Sequence, residues 1–337
     1  MAANSNYTPL LVVTMGDPAG IGPEIIIKAL SGGDLDNTAR LLVVGITSML
    51  RETAFSLNLP VKIHAVTPQT IHRLPRHSPG TMFVLDVETP AGLSLTPGTV
   101  SGATGTIAAA CIEQSARLCL NQEADALVTA PISKHALHLA GLKETAHTER
   151  LQTLSKTDSV EMAFVSDDLR VVLATRHIPL SSITRALTAA RVLEALRAAH
   201  HLGILLDKQE PAIGLCGVNP HAGEEGMMGN EEETVLIPAI ELAHREGLRV
   251  SGPLPPDTAF IQTAREEFDV VVALYHDQGL IPFKMLSFGR GAQITLGLPF
   301  VRTSVDHGVA LDIAGRGVAE PGSLVTAVRL AAACIRR

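Results

Sequence analysis

The chain has 337 residues, 46% of them hydrophobic and 18% charged, with no tryptophan and a formal net charge of −7. That length corresponds to two domains or one large α/β unit with a sizeable core. The acidic balance, without a basic stripe or an aromatic cluster, excludes a general nucleic-acid binder. No run of about 18 apolar residues marks a membrane span. The N-terminal segment lacks the basic region and apolar stretch of a signal peptide, so a cytoplasmic location is expected.

Short β-branched runs alternate with helical patterns along the chain. Strands are expected at residues 9–15, 40–46, 82–87, 125–131, 161–166, 170–175, 212–218, 270–275 and 292–297. They are continuously apolar rather than alternating, which marks strands buried on both faces. Helices are expected at 22–32, 105–122, 181–206 with a break near Thr188, 230–247 with a kink at Pro238, and 323–337. A hairpin is expected at "VSDDLR" (165–170). The result is an α/β sandwich with an antiparallel element, divided into one lobe of residues 1–125 with 305–337 and another of residues 126–304. Cys111, Cys119, Cys216 and Cys334 form no CxxC pair and read as buried reduced thiols.

Many of these strands run into chemistry. "LLVVTM" leads to Gly16-Asp17-Pro18, "VVLAT" to Arg176-His177, "GLCGV" to Asn219-Pro220-His221, "VVVALY" to His276-Asp277, and "QITLGLPF" to Val301-Arg302. Open α/β sheets bind ligands beyond the carboxyl ends of their strands. His177, His221 and His276 each follow a buried run, so the fold alone could bring them together. Three imidazoles with an open position make a catalytic divalent-metal site; the bland alternative is that each one caps a strand or bonds a carbonyl. Asp257 and Asp277 could orient a ligand histidine or take a proton, although Asp257 after Pro-Pro also suits a helix N-cap.

Lys284 and Arg302 interrupt apolar sequence, where an unpaired charge is costly. His147-Thr148 stands where a helix could begin. Lysine, arginine, a hydroxyl and helix-terminal N–H groups together make a phosphate site. "GDPAGIGPE" (16–24) joins a strand to a helix as a nucleotide loop would, but it matches neither the dinucleotide fingerprint nor a P-loop.

The blocks "TMGDPAGIGPE", "AHTERL", "NPHAGEEG", "GPLPPDT", "YHDQGLIPFK" and "LGLPFVRTSVDHGVALDIAGRG" run in order from about residue 10 to residue 325. They resemble the 4-hydroxythreonine-4-phosphate dehydrogenase family. The resemblance implies a two-lobed three-layer α/β/α sandwich of the isocitrate/isopropylmalate dehydrogenase-like type, with the active site in the cleft between lobes. It implies metal ligands at His177, His221 and His276, and substrate contacts at His147, Thr148, Lys284 and Arg302. A further substrate contact, usually asparagine, falls on Gln293, and Ala146 stands where the family usually has glycine. By analogy with the related dehydrogenases, Asp17, His307, Gly308, Asp312 and Gly315 lie near the dinucleotide.

The implied reaction is oxidation and decarboxylation of 4-phosphooxy-L-threonine, using NAD or NADP and one divalent metal per site (Zn, Co or Mg). Asp277, Asp257 or Lys284 would act as the base. The resemblance also implies a homodimer with its site at the subunit interface, the second lobe carrying the metal ligands and dimer contacts. Related phosphorylated sugar acids, 4-phospho-D-threonate or 4-phospho-erythronate, are the alternative substrates. A metal-dependent hydrolase using the same histidines, or a sugar-phosphate sensor, is the alternative of another class.

Overall fold

A computed structural model describes residues 7–89, 95–144, 146–264 and 267–335. The first six residues and the last two of the expected C-terminal helix therefore lie outside the described residues. In chain order the elements begin with β1 (Leu10–Thr14), α1 (Gly22–Ser31), β2 (Arg40–Gly45), α2 (Thr47–Ser56), β3 (Lys62–Val66) and β4 (Thr81–Asp86). They continue with α3 (Gly102–Leu120), β5 (Ala126–Thr129), α4 (Lys134–Leu139), α5 (His147–Ser155), β6 (Glu161–Val165) and β7 (Arg170–Leu173). Next come α6 (Ile183–Ala186), α7 (Ala189–Leu205), β8 (Ala212–Cys216), α8 (Ile237–Arg245), β9 (Arg249–Leu254) and α9 (Pro256–Ala264). The chain closes with β10 (Val270–Ala273), α10 (His276–Ser287), β11 (Ala292–Leu296), β12 (Val301–Val305) and α11 (Gly322–Ile335).

The chain divides into two compact units, Met1–Val160 with Ala292–Arg337, and Glu161–Gly291. The first unit therefore takes in residues 126–160 and 292–304, which the sequence reading gave to the second lobe. The reason lies in strand pairing. β5 runs parallel to β1, and β12 runs parallel to β5, so neither can leave the first unit's sheet.

In the first unit the strand order is β3-β4-β2-β1-β5-β12-β11, and only the β12–β11 pair is antiparallel. β1 and β5 are buried at every position, as strands covered on both faces must be. α1 starts with proline in its first turn and buries Ile25, Ile26, Ile27 and Leu30. In the second unit the order is β6-β7-β10-β8-β9, with β6 and β7 antiparallel. The expected hairpin closes there through Ser166 N–H donating to the Leu169 carbonyl at 3.0 Å. This unit's core gathers Phe164, Leu173, Phe260 and Phe283, and the Phe164 and Phe283 rings lie 5.6 Å apart.

The break expected near Thr188 is a helix start: its hydroxyl accepts from Arg191 N–H at 3.1 Å as the N-cap of α7. At Pro238 the missing N–H is accommodated by a wide π-turn at Glu232–Leu236, after which α8 begins. All four cysteines are buried. Burial pushes the Cys111, Cys119 and Cys216 thiols up to about 12, so they stay protonated.

Candidate active site

Among the described residues, the first unit holds a buried cation without a counter-ion. Gly297, at φ +97°, turns the chain after β11 so that β12 returns antiparallel, pairing Thr295 with Arg302 and Gln293 with Ser304. Arg302 therefore lies inside a strand rather than at a strand end, as the sequence reading had placed it. It is 1% exposed. Its Nη1 donates to Thr295 Oγ1 at 2.8 Å and its Nη2 to Thr129 Oγ1 at 2.6 Å, while Nε has no partner. Burial with no carboxylate alongside pulls its pKa down to about 9. Ser304 Oγ donates to Gln293 Oε1 at 2.8 Å, and Gln293 Nε2 donates to Thr295 Oγ1 at 3.3 Å.

His147 opens α5, with Ala146 as its N-cap and Thr148 beside it, half-buried. Arg150, one turn on, ion-pairs with Glu113 of α3 and so fixes this short helix. His147 Nε2 is sealed from solvent without a partner. Burial, and then the Arg302 charge, hold its pKa well below the usual imidazole value. An unpaired guanidinium and an orphaned imidazole nitrogen make a place for an anion.

The proposed dinucleotide residues share the same unit. Asp17 is fully buried at the start of the Gly-rich loop, and its Oδ1 accepts from Ala19 N–H at 2.9 Å. Burial raises its pKa, against hydrogen bonds from Ala19, Ser133 and Thr104. Ile21 N–H donates to the Val309 carbonyl at 3.0 Å, which brings this loop against the loop after β12. That second loop carries His307, whose Nδ1 lies 3.0 Å from the Gly308 carbonyl, and the exposed Gly308 and Asp312. Gly315 sits at φ +74°, where a Cβ would lie 2.9 Å from Pro97. Glu24 accepts from Ala319 N–H at 2.7 Å, and Lys28 donates to the Ala319 carbonyl at 2.7 Å, fixing the far end of the loop.

The second unit carries His177, His221 and His276 together with Asp257 and Asp277. His177 and His276 face each other with ring centroids 5.5 Å apart. Two imidazoles on one tetrahedral ion sit at a similar spacing, roughly 5 Å. Asp277 Oδ1 lies 2.7 Å from His276 Nδ1, which leaves Nε2 for another partner, the usual carboxylate–histidine arrangement behind a metal ligand. Both rings line a cavity of about 230 Å³ with Arg176, Tyr275 and Asp277. The residues present fit two of a metal's ligands. Among the described residues, no three His, Cys, Asp or Glu side chains in the single chain converge on one ion, so His221 does not complete the expected trio there.

Asp257 lies within the first turn of α9, where its charge suits the helix dipole, rather than at the cap. With Asp277 it lines a second cavity of about 680 Å³, walled by Phe260, Ile261, Ile281 and Met285. Lys284 is exposed on α10. Of its apolar neighbours in sequence, Phe283 packs into the core, whereas Met285 and Phe288, 81% and 84% exposed, lie on an open helix face beside it. Lys284 itself therefore faces solvent rather than a buried environment.

Sequence reasoning missed Gln278, Thr129, Thr295 and Ser304. Gln278 Oε1 accepts from Leu274 N–H at 2.6 Å and Nε2 donates to the Gly217 carbonyl at 2.8 Å, tying the exits of β10 and β8 together. Behind it a Cβ on Gly279 would lie 2.8 Å from both Leu173 and Val171. The polar break after "VVVALY" thus combines two exposed or half-exposed chemical groups with a buried amide strut. Two buried threonines in apolar strands were the available signal for the Arg302 clamp.

A family model described as pyridoxal phosphate biosynthetic protein PdxA matches residues 37–331. A protein of Salmonella typhimurium named D-threonate 4-phosphate dehydrogenase is 41% identical over 325 residues, covering 96% of this chain and 98% of that one. A protein of Desulforapulum autotrophicum named 4-hydroxythreonine-4-phosphate dehydrogenase is also 41% identical, covering 96% and 95%. The crystal structure of 4-hydroxythreonine-4-phosphate dehydrogenase from Klebsiella pneumoniae superposes with a TM-score of 0.90 at 39% identity, with full coverage of both chains. The expected α/β fold is thereby established, and so is an oxidoreductase activity of the dehydrogenase type. With the family match spanning most of its length and close relatives covering nearly all of it, the chain belongs to the PdxA family of dehydrogenases.

Proposed function

We propose that the chain oxidises the secondary alcohol of 4-hydroxythreonine-4-phosphate (4-phosphooxy-L-threonine) with NAD or NADP, and that the resulting β-keto acid loses CO₂ to give 3-amino-2-oxopropyl phosphate, a step of pyridoxal phosphate biosynthesis. The observation that carries this reading is Arg302, a fully buried guanidinium with no carboxylate beside it among the described residues. Such a cation is tolerated where a ligand anion completes it, and a phosphate ester is that anion. In this reading His147, Thr148, Gln293 and Arg302 would hold the phosphate end, and Lys284 would be a further substrate contact.

His177 and His276, with His221 or its counterpart from a second copy of the chain, would hold a divalent cation: zinc, cobalt or magnesium. Such an ion supplies Lewis acidity that lowers the pKa of the substrate hydroxyl. Asp277 orients the His276 ring through Nδ1. Asp277, Asp257 and Lys284 are the groups available to take the hydroxyl proton. Asp17, His307, Gly308, Asp312 and Gly315 border the loops assigned to the dinucleotide, whose nicotinamide accepts the hydride. A homodimer is part of this reading, in which a second copy would supply the ligand that the described residues of one chain do not bring to His177 and His276.

A second reading, oxidation of D-threonate 4-phosphate, is favoured by the relatives of that name at equal identity. The two substrates share the phosphate and the oxidisable alcohol and differ in the group next to the carboxylate. The test is nicotinamide reduction with each substrate, with NAD and with NADP, before and after chelation. Turnover of 4-hydroxythreonine-4-phosphate that is lost on chelation is expected. Turnover of D-threonate 4-phosphate alone selects the second reading, and reduction with neither overturns both.

A further inference from the structure

Among the described residues, Arg302 is held by two hydroxyls and by no acid. Thr295 and Thr129, 3% and 0% exposed, take one terminal nitrogen each. A guanidinium has five N–H groups, so two are spent on the threonines and three remain. Thr295 Oγ1 accepts twice, from Arg302 and from Gln293. Its own hydrogen must therefore point elsewhere, and it adds a neutral donor beside the cation. Gln293 is fixed in turn, because its carbonyl oxygen is taken by Ser304. The register explains the cluster: Gln293 and Thr295 on β11 stand opposite Ser304 and Arg302 on β12, and Thr129 lies across from Ser304 on β5.

We propose that Thr295 and Thr129 are the positioning residues of the anion site, two hydroxyl clamps that aim the Arg302 guanidinium without neutralising it. A carboxylate in either place would orient the fork equally well and would compete with the ligand for its charge. A hydroxyl accepts the N–H and leaves the full positive charge to an incoming oxyanion. This inference rests on the reading of Arg302 as the phosphate-binding group and adds how that group is held ready.

The test uses the full-length protein, with inorganic phosphate as the probe, titrated calorimetrically at fixed ionic strength. KM and kcat for the phosphorylated hydroxy acid are measured alongside. T295V keeps the side-chain shape and removes the acceptor. It is expected to weaken phosphate binding about tenfold, the scale of a lost hydrogen bond to a charged group, and to raise KM by a similar factor with a smaller fall in kcat. T295S, which keeps the hydroxyl, retains wild-type affinity. In an R302M background T295V changes KM by less than about twofold, because the group it positions is gone. Thermal melts identify any variant that does not fold, and T129V then carries the test through the other clamp. Phosphate affinity unchanged in T295V and T129V but lost in R302M overturns the positioning role alone. Unchanged affinity in R302M overturns the reading of Arg302 itself.

Discussion

Arg302 is a residue whose burial opposes stability. Its charge is out of water and, among the described residues, meets hydroxyls alone, so the folded state carries a desolvation cost that a bound anion would offset. Replacing it with methionine keeps volume and removes the charge. R302M is therefore expected to raise the unliganded protein's melting temperature by a few degrees while abolishing protection by phosphate; a lower melting temperature would show that the cation is compensated. His147 and His77 add a pH dependence. Burial lowers both pKa values, with Arg302 adding to the shift at His147 and Asp36 opposing it at His77. Below about pH 6.5 the unfolded chain protonates these imidazoles and the folded chain does not. Their contribution is thus complete above about pH 6.5 and is lost as the pH falls beneath it. Urea midpoints should drop on acidification from about pH 7.5 to about pH 5.5, and the drop should shrink in the H77Q/H147Q double variant. Arg302 was legible in the sequence because a charge in "LGLPFVRTSV" had to mean something. Its threonine clamps were not, since a threonine in a strand is ordinary until register puts it opposite an arginine.

Among the elements, the segment after β8 is the least comfortable. His221, Ala222, Glu224 and Glu225 all have φ between 44° and 56°, and Gly223 and Gly226 at 85° and 87° complete a left-handed turn. For L residues this backbone costs about 1–2 kcal/mol each. Glu232 holds the base of the turn, its carboxylate accepting from Val218 N–H, Asn219 N–H and Asn219 Nδ2, each at 2.8 Å. The strain falls where the sequence placed a candidate ligand, His221, as functional segments often show. E225G, exposed and free to adopt the same φ, should stabilise the protein by about 0.5–1 kcal/mol in denaturant titrations; destabilisation would show that Glu225 makes contacts that outweigh its backbone. The elements themselves were read well wherever apolar runs were long: all nine expected strands form within a few residues of their predicted bounds. β3 and β9 escaped notice because edge strands are half polar, with exposed Lys62, His64, Arg249 and Ser251. β12 was hidden because the turn at Gly297 reads as a continuation of β11.

For the molecule as a whole, the open apolar face of α10 bears on assembly. Ile281, Met285 and Phe288 are 59%, 81% and 84% exposed on one helix and its cap, more apolar surface than a solitary helix face usually leaves to water. With the homodimer proposed above, I281D/M285D is expected to sediment as a monomer at concentrations where the unmodified protein is a dimer, and to lose affinity for added zinc. A unmodified protein that is itself monomeric would remove the basis for a shared metal. No described helix is long and apolar enough to cross a membrane. The two-part first unit also sets an order of assembly during synthesis. Its sheet stays open beside β5 until β12, more than a hundred residues further along, has left the ribosome, whereas the second unit is one unbroken stretch that emerges earlier. Domains fold as units as they emerge. The nascent chain therefore completes the unit that bears His177 and His276 before Arg302 reaches its socket.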